Sequence, residues 1–273
     1  EKPQAVICTG GFVAGPVAIS AALLRIPLFF HESNSYPGLV TRKMAKWINT
    51  IFISFENTRK YLTCSKLVNY GIPLRQTAKD DQQKPLDIGS WGLKNDKPII
   101  LVSGGSQGSV AINTVVNQAI SDILSLGYQI IWQTGKMSYA RFSAQHKGKE
   151  GIYIFAFSPD LPKMFSHCCL AITRAGAMTI AELEANHLPA ILIPLPTAAE
   201  NHQYYNALAQ QEKGVAILLE QSKLTPFSLV ENIKKITENL EIYRNKLAAL
   251  PPNEAAQKIV NYILNYLNNK EEK

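Results

Sequence analysis

The segment AITRAGAMTIAELE, residues 171–184, runs from an apolar stretch through an Arg-Ala-Gly turn into a helix-forming run that carries Glu182 six residues after Gly176. A carboxylate near the start of such a helix faces the open end of the preceding strand, where it can accept two hydrogen bonds from a diol such as a ribose. The plainer task for the same residue is to complement the positive end of the helix, worth ~0.3–1 kcal/mol. Glu184 lies two residues on, about 200° around a helix, and must face elsewhere. Upstream, VSGGSQGS (residues 102–109) offers a different chemistry. Gly104, Gly105 and Gly108 let backbone N–H groups come close to an anion, and Ser106 and Gln107 can add hydrogen bonds. Glycines at such a turn also serve close packing of helix on strand, and both readings stay open. Gly10, Gly11 and Gly15 in TGGFVAGP repeat the pattern near the start. Neither loop holds the GxxxxGK[ST] lysine, which argues against an NTP-hydrolysing P-loop.

Two more polar clusters follow apolar runs. HESN (residues 31–34) comes after IPLFF, and AENHQYYNA (residues 199–207) after AILIPLP. Strand ends are where open α/β sheets bind ligands, so the joint placement of His31 and His202 points to a site. A lone histidine is otherwise a structural one.

The elements that must position these groups are legible as short, almost continuous apolar runs alternating with helical segments: AVICTGG, IPLFFHES, IFISFE, PIILVSGG, QIIWQTGK, IYIFAFS, LAITRAG, AILIPLP and GVAILLE. Strands apolar on both faces belong to a sheet covered by helices on both sides, which predicts an α/β fold with parallel strands. The units at residues 9–23 and 103–120 are each a glycine turn and a helix following a strand. That doubling predicts two Rossmann-like domains facing a cleft. The polar stretch QTAKDDQQKPLDIGSWGLKNDKP separates them. The expected organisation is a first domain over residues 1–78, a linker over 79–97, a second domain over 98–250 and a helical tail over 251–273 able to pack back on either domain.

With 273 residues and 46% hydrophobic content the chain can bury sizeable cores. No uncharged apolar run approaches the ~18–20 residues of a spanning helix. The four cysteines, Cys8, Cys64, Cys168 and Cys169, form no CxxC spacing and read as reduced core thiols of a cytosolic protein. His167 beside two of them has no second ligand pair to make a metal site. The net charge of +7 is uneven: residues 1–78 hold nine Lys/Arg against Glu1, Glu32 and Glu56, which is +6. Such a basic half suits an anionic membrane or polyanion, or is simply a solvated face. TRKMAKWIN (residues 41–49) sets Arg42, Lys43 and Lys46 near Met44 and Trp47, the mixture of an interfacial helix, or of a helix with a core face and a solvated face. Nucleic acid is disfavoured, because aromatic residues do not interleave with the basic ones.

In order and at these intervals, ICTGGFVAGP, HESN, YGIPLR, VSGGSQGS, FSPDLPKMF, TRAGAMTIAELE and AAENHQYYNA resemble the MurG glycosyltransferases over residues 1–250. That resemblance implies a GT-B fold with an incomplete first domain, and transfer of N-acetylglucosamine from UDP-GlcNAc to the undecaprenyl-pyrophosphoryl-MurNAc-pentapeptide, lipid I, giving lipid II for peptidoglycan. It implies that Glu182 binds the ribose hydroxyls, that Ala177, Met178 and Thr179 lie at the helix start near the diphosphate, and that Ser106 and Gln107 sit on the nucleotide-sugar loop. It further implies that the Ser158 backbone reads the uracil edge in place of the family's usual Ile, that His202 and Gln203 select the sugar, and that Arg75 belongs to the nucleotide site. Asn34 and Asn113 match polar residues of the cleft, and Phe12 replaces a common Tyr. The implied partners are UDP-GlcNAc, lipid I and the inner face of the plasma membrane, where the enzyme is peripheral. No DxD motif is present, so neither metal nor cofactor is expected, and His31 and Glu32 are base candidates by position. The family's opening strand and GGTGGH-like loop have no counterpart here. The chain alone is thus expected to bind donor but transfer little, leaving open a non-catalytic UDP-GlcNAc binder, a membrane scaffold or a 2-epimerase-like enzyme.

Overall fold

Among the described residues the nine apolar runs become strands of two all-parallel sheets, and one further strand is not announced by the sequence pattern. The computed structural model describes residues 3–63, 66–74 and 86–271. Contacts divide the chain into one unit of residues 1–75, 197–209 and 252–273 and another of residues 76–196 and 210–251.

In the first unit β1 (Val6–Cys8), β2 (Leu28–Glu32), β3 (Thr50–Ile53) and β4 (Leu67–Asn69) lie in sequence order. β4 escapes the pattern because only three residues pair and none is fully buried. The alternation of side chains along a strand splits the core in two. Leu28, Phe30, Ile51 and Ile53 pack with Ala18 and Ala21 of α1 (Ala14–Leu23) and Met44 of α2 (Leu39–Met44). Phe29 and Phe52 point the other way, onto Ile259 and Ile263 of α10 (Ala255–Glu271). Each fully buried phenylalanine contributes ~1.5–3 kcal/mol of transfer free energy. Tyr262 Oη meets Thr50 Oγ1 at 3.0 Å, and Asn49 Nδ2 donates to Tyr266 Oη at 2.9 Å, so the tail helix is fixed to this first sheet.

The helix expected over residues 41–49 is α2 followed by a 3-10 turn, Ala45–Trp47. Its mixed character divides: Met44 is core, Trp47 is 60% exposed, and Arg42 is bonded to Tyr36 and Glu200.

The second unit contains β5 (Ile99–Ser103), β6 (Gln129–Gln133), β7 (Ile152–Phe155), β8 (Leu170–Thr173), β9 (Ala190–Leu192) and β10 (Ala216–Leu218), in the order β10-β9-β8-β5-β6-β7. The chain adds β6 and β7 on one side of β5 and then returns to add β8 on the other. That reversal creates a switch point between β5 and β8, where loops diverge at the carboxyl ends of the strands and leave a crevice. Helix α3 (Val110–Ser125) begins where the Ser109 hydroxyl accepts from Ile112 N–H, and it buries Ile112, Val116, Ile120 and Ile123 against the sheet. Helices α4 (Lys136–Gln145), α5 (Leu161–Met164) and α9 (Leu240–Ala248) belong to the same unit, and α8 (Pro226–Thr237) covers its core with Leu229, Ile233 and Ile236, opened by a Thr225–Ser228 capping box. Residues 86–97 pack on this unit: Lys94 N–H donates to Gln129 Oε1 at 2.7 Å, and Gln129 Nε2 donates back to the Lys94 carbonyl at 2.8 Å.

Cys8, Cys168 and Cys169 are free and buried; burial pushes the Cys168 thiol up and Cys169 to about 11, so both stay protonated. Among the described residues no helix is long and apolar enough to cross a membrane.

Candidate functional site

At the switch point of the second sheet an open pocket, about 750 Å3 of unfilled space counting its open mouth, is lined on one side by Ser103, Gly105 and Ser106 and on another by Phe157, Ser158 and Pro159. Thr173 and Arg174 at the end of β8, and Thr179 and Glu182 of α6 (Ala177–Ala185), close it.

The glycine loop combines close packing with open space. A Cβ at Gly108 would lie 2.2 Å from the Thr134 carbonyl, so that glycine serves the approach of two backbones. Gly104 is similarly locked against Ser109. Gly105 has open space beside it and lines the pocket with Ser106, while Gln107 is exposed outside the lining. Close packing thus falls to Gly104 and Gly108, and open space to Gly105.

Helix α6 starts at Gly176 with no side-chain cap and no acidic residue in its first turn. Its first N–H groups and positive dipole end therefore have no counter-group of their own, the arrangement that favours an anion. Ala177 and Met178 form that turn. Thr179 and Glu182 follow on one face, three residues apart, and both reach the pocket. Burial raises the Glu182 carboxyl above its ordinary value, and no cation or hydrogen-bond donor compensates among the described residues. Glu184 faces away and pairs with Lys213 at 2.8 Å.

Three polar residues of the pocket, Arg174, Thr173 and Gln133, were not among the sequence candidates. Arg174 donates to the carbonyls of Ile193 and Pro194, to Ser109 Oγ and to Gln221 Oε1, at 2.7–3.2 Å. Among the described residues its cation has no carboxylate partner, and burial lowers its pKa. Thr173 Oγ1 is buried with no partner among the described residues. Gln133, fully buried at the end of β6, accepts from Ser158 N–H at 3.1 Å and donates to Ser103 Oγ at 3.2 Å. The Ser158 N–H, expected to read a base edge, is therefore directed at Gln133. The available signal was an amide and a basic residue at strand ends, amid otherwise apolar runs.

Asn113 requires a correction. It is fully buried on α3, donating to the Thr134 carbonyl at 2.8 Å and accepting from Trp132 Nε1 at 3.0 Å, so it braces the core and faces no ligand space.

In the first unit the candidate polar groups are occupied with one another. Glu32 is 4% exposed and accepts from the N–H groups of Asn34 and Gly38 and from Thr41 Oγ1, at 2.8–3.1 Å. His31 places Nε2 2.9 Å from the Gly71 carbonyl, which can only accept, so that nitrogen carries the proton and Nδ1 faces Ser33 Oγ at 3.2 Å. Burial lowers the His31 pKa, against smaller opposing effects of Gly71 and Glu32. Neither residue is placed as a free proton acceptor. Asn34 Oδ1 accepts from Asn206 Nδ2 at 3.1 Å, and Asn206 Oδ1 accepts from Ser35 N–H at 2.8 Å.

His202 opens α7 (His202–Lys213) with Nδ1 2.8 Å from the Ala199 carbonyl, and half-buried Gln203 follows. The preceding Glu200 and Asn201 both adopt left-handed backbone, φ 51° and 55°, which is uncommon outside glycine. Gly10 and Gly11 form the turn before α1, and Gly15 lies within that helix. Arg75 is outside the described residues. Among the described residues no three His, Cys, Asp or Glu side chains gather as a metal site.

Residues 99–263 match the profile of the glycosyltransferase family 28 C-terminal domain, and residues 1–53 that of its N-terminal domain. A protein of an Exiguobacterium species is 35% identical over 91% of this chain and 70% of its own length. One of Halalkalibacterium halodurans is 36% identical over 94% and 72%. Both are named UDP-N-acetylglucosamine–N-acetylmuramyl-(pentapeptide) pyrophosphoryl-undecaprenol N-acetylglucosamine transferase. The crystal structure of Acinetobacter baumannii MurG superposes with a TM-score of 0.78 at 28% identity, covering 96% of this chain and 73% of that one. A Neisseria meningitidis UDP-GlcNAc 2-epimerase shares the fold alone, with a TM-score of 0.63 at 13% identity over 96% of this chain and 76% of that one.

Proposed function

Because the chain belongs to glycosyltransferase family 28, among its MurG members, we propose that it transfers N-acetylglucosamine from UDP-GlcNAc to lipid I, forming lipid II in peptidoglycan synthesis. The observation that carries the reading is the start of α6, an uncapped helix end followed on one face by Thr179 and an unpaired, half-buried Glu182. A nucleoside diphosphate supplies what both lack: phosphate oxygens for the N–H groups and a ribose diol to donate to the carboxylate.

The chemistry is a single inverting displacement. The acceptor's 4-hydroxyl oxygen bonds to the anomeric carbon as the carbon–phosphate oxygen bond breaks, the bonding pair leaves with UDP, and the hydroxyl proton passes to a base. The residues at this site orient the donor, and the α6 N–H groups stabilise the charge that grows on UDP. A transfer assay with labelled UDP-GlcNAc and a lipid I analogue tests the whole reading. Lipid II formation with release of one UDP per transfer is expected on the family membership, in place of the low transfer that the sequence motifs alone lead one to expect. Release of free sugar or of UDP without acceptor would replace it by another UDP-GlcNAc chemistry.

The membrane-bound acceptor calls for a surface that meets lipid, and exposed apolar and basic residues of the first unit support that reading. Phe12 is 87%, Val13 82%, Leu23 78% and Trp47 60% exposed, with Lys43 and Lys46 exposed in the α2 segment. Each basic residue near an anionic surface contributes ~1 kcal/mol, screened by salt. Lys43→Gln with Lys46→Gln should reduce co-sedimentation with anionic vesicles at low salt, with little difference at high salt and no change in UDP affinity. Sedimentation equal to the parent at every salt concentration would exclude this surface.

A further inference from the structure

Gln133 stands at the end of β6, between β5 and β7, and the two walls of the pocket are the loops that leave those neighbouring strands. Its carboxamide spans them. The Nε2 group donates to Ser103 Oγ at 3.2 Å and to the Gly105 carbonyl at 3.3 Å, on the wall that follows β5. Its Oε1 accepts from Ser158 N–H at 3.1 Å, on the wall that follows β7. Ser103 Oγ also accepts from Gly105 N–H at 3.2 Å, so one hydroxyl ties the glycine turn to the amide. The side chain is 1% exposed, in an environment where such bonds are not exchanged for water.

We propose that Gln133 is a positioning residue that fixes the spacing of the two pocket walls and, through the Ser158 segment, the discrimination between pyrimidine bases. This rests on the reading that the pocket takes a uridine diphosphate sugar with its base beside Ser158. The chemistry at position 133 is specific. One end must accept and the other must donate, which a carboxamide does and neither a carboxylate nor an alkyl chain of similar size can. Uracil and cytosine differ by exchange of donor and acceptor along one edge. Telling them apart needs backbone groups held in fixed places, because a site that can shift re-pairs with either base.

The test titrates UDP and CDP into the wild type, Gln133→Leu and Ser103→Ala by calorimetry, with thermal unfolding of each. Loss of the amide's bonds should weaken UDP about tenfold and bring the UDP-to-CDP preference toward unity, with unfolding still cooperative. Ser103→Ala, which removes the shared acceptor only, should fall between. A purely structural role would lower the unfolding temperature without moving the preference. Unchanged preference in Gln133→Leu overturns the inference, as does tighter UDP binding, which would make Gln133 a competitor for the Ser158 N–H. If Gln133→Leu does not fold, Ser103→Ala decides alone, unchanged preference again counting against it. Failure of the wild type to bind UDP would instead remove the donor-site reading itself.

Discussion

At the carboxyl end of β2, polar residues close on one another: Glu32 binds two N–H groups and a hydroxyl, His31 spans Ser33 and Gly71, and Asn34 meets Asn206. At the carboxyl end of β8, they do not. Thr173 Oγ1 and the Glu182 carboxylate have no partner among the described residues, and α6 begins uncapped. Both clusters occupy the position at which parallel sheets bind ligands. What separates a site from a brace is unsatisfied hydrogen-bonding capacity, since a buried group without a partner is costly unless a ligand supplies one.

The two glycine turns differ in the opposite sense, tight in the second unit and open in the first, and substitution there has the largest expected effect. Gly108→Ala would drive a methyl group into the Thr134 carbonyl, 2.2 Å away, at a φ of +79°. It should cost above ~3 kcal/mol of unfolding free energy. Gly10, at a φ of +85°, has nothing within 4 Å of an added Cβ. Gly10→Ala should therefore cost only the left-handed conformation, ~1–2 kcal/mol. Equal losses in urea denaturation would mean that the second turn is not the tighter one.

Glu32→Ala comes between those two. It would orphan the N–H groups of Asn34 and Gly38 and the Thr41 hydroxyl. A loss of about 2–3 kcal/mol in stability is expected, with UDP affinity unchanged. A collapse of UDP affinity in a variant that remains folded would give Glu32 a ligand role and break the comparison.

The smallest effect is a pH dependence. Burial raises the Glu182 carboxyl in the folded state, so its neutral form is the one that favours folding. The resulting stability is fully present below the unfolded carboxyl range and is lost as pH rises through the folded value. Glu182→Gln should therefore raise the unfolding temperature slightly at neutral pH. Binding has the opposite sign. The diol needs the ionised carboxylate, so UDP affinity in the wild type should fall as pH is lowered through the same range, and in Glu182→Gln it should not. A flat wild-type profile would separate Glu182 from the ligand.

Much of this was legible in the sequence. Continuous apolar runs mark nine of the ten strands among the described residues, because strands covered on both faces need apolar residues throughout. The placement of Glu182 beside a strand end could be read because turn, helix start and carboxylate lie within one short segment, whereas Thr179 entered only with the family motif. Asn113, Gln133 and Arg174 could not be assigned that way. Trp132 lies 19 residues from Asn113, and the bonds of Gln133 and Arg174 span 19 to 65 residues. A polar residue in a motif therefore reveals its position in the fold, whereas its free capacity depends on neighbours that only the folded chain brings together. His31 and Glu32 looked like a base for the same reason.

The most direct test is calorimetric titration of UDP into the wild type, Glu182→Ala and Glu32→Ala side by side. Loss of hydrogen bonds to a charged group should weaken UDP binding in Glu182→Ala by about 1.5–3 kcal/mol, while Glu32→Ala, where folded, binds like the wild type. Equal affinity in the wild type and Glu182→Ala would contradict the account and return Glu182 to complementing the dipole of its helix.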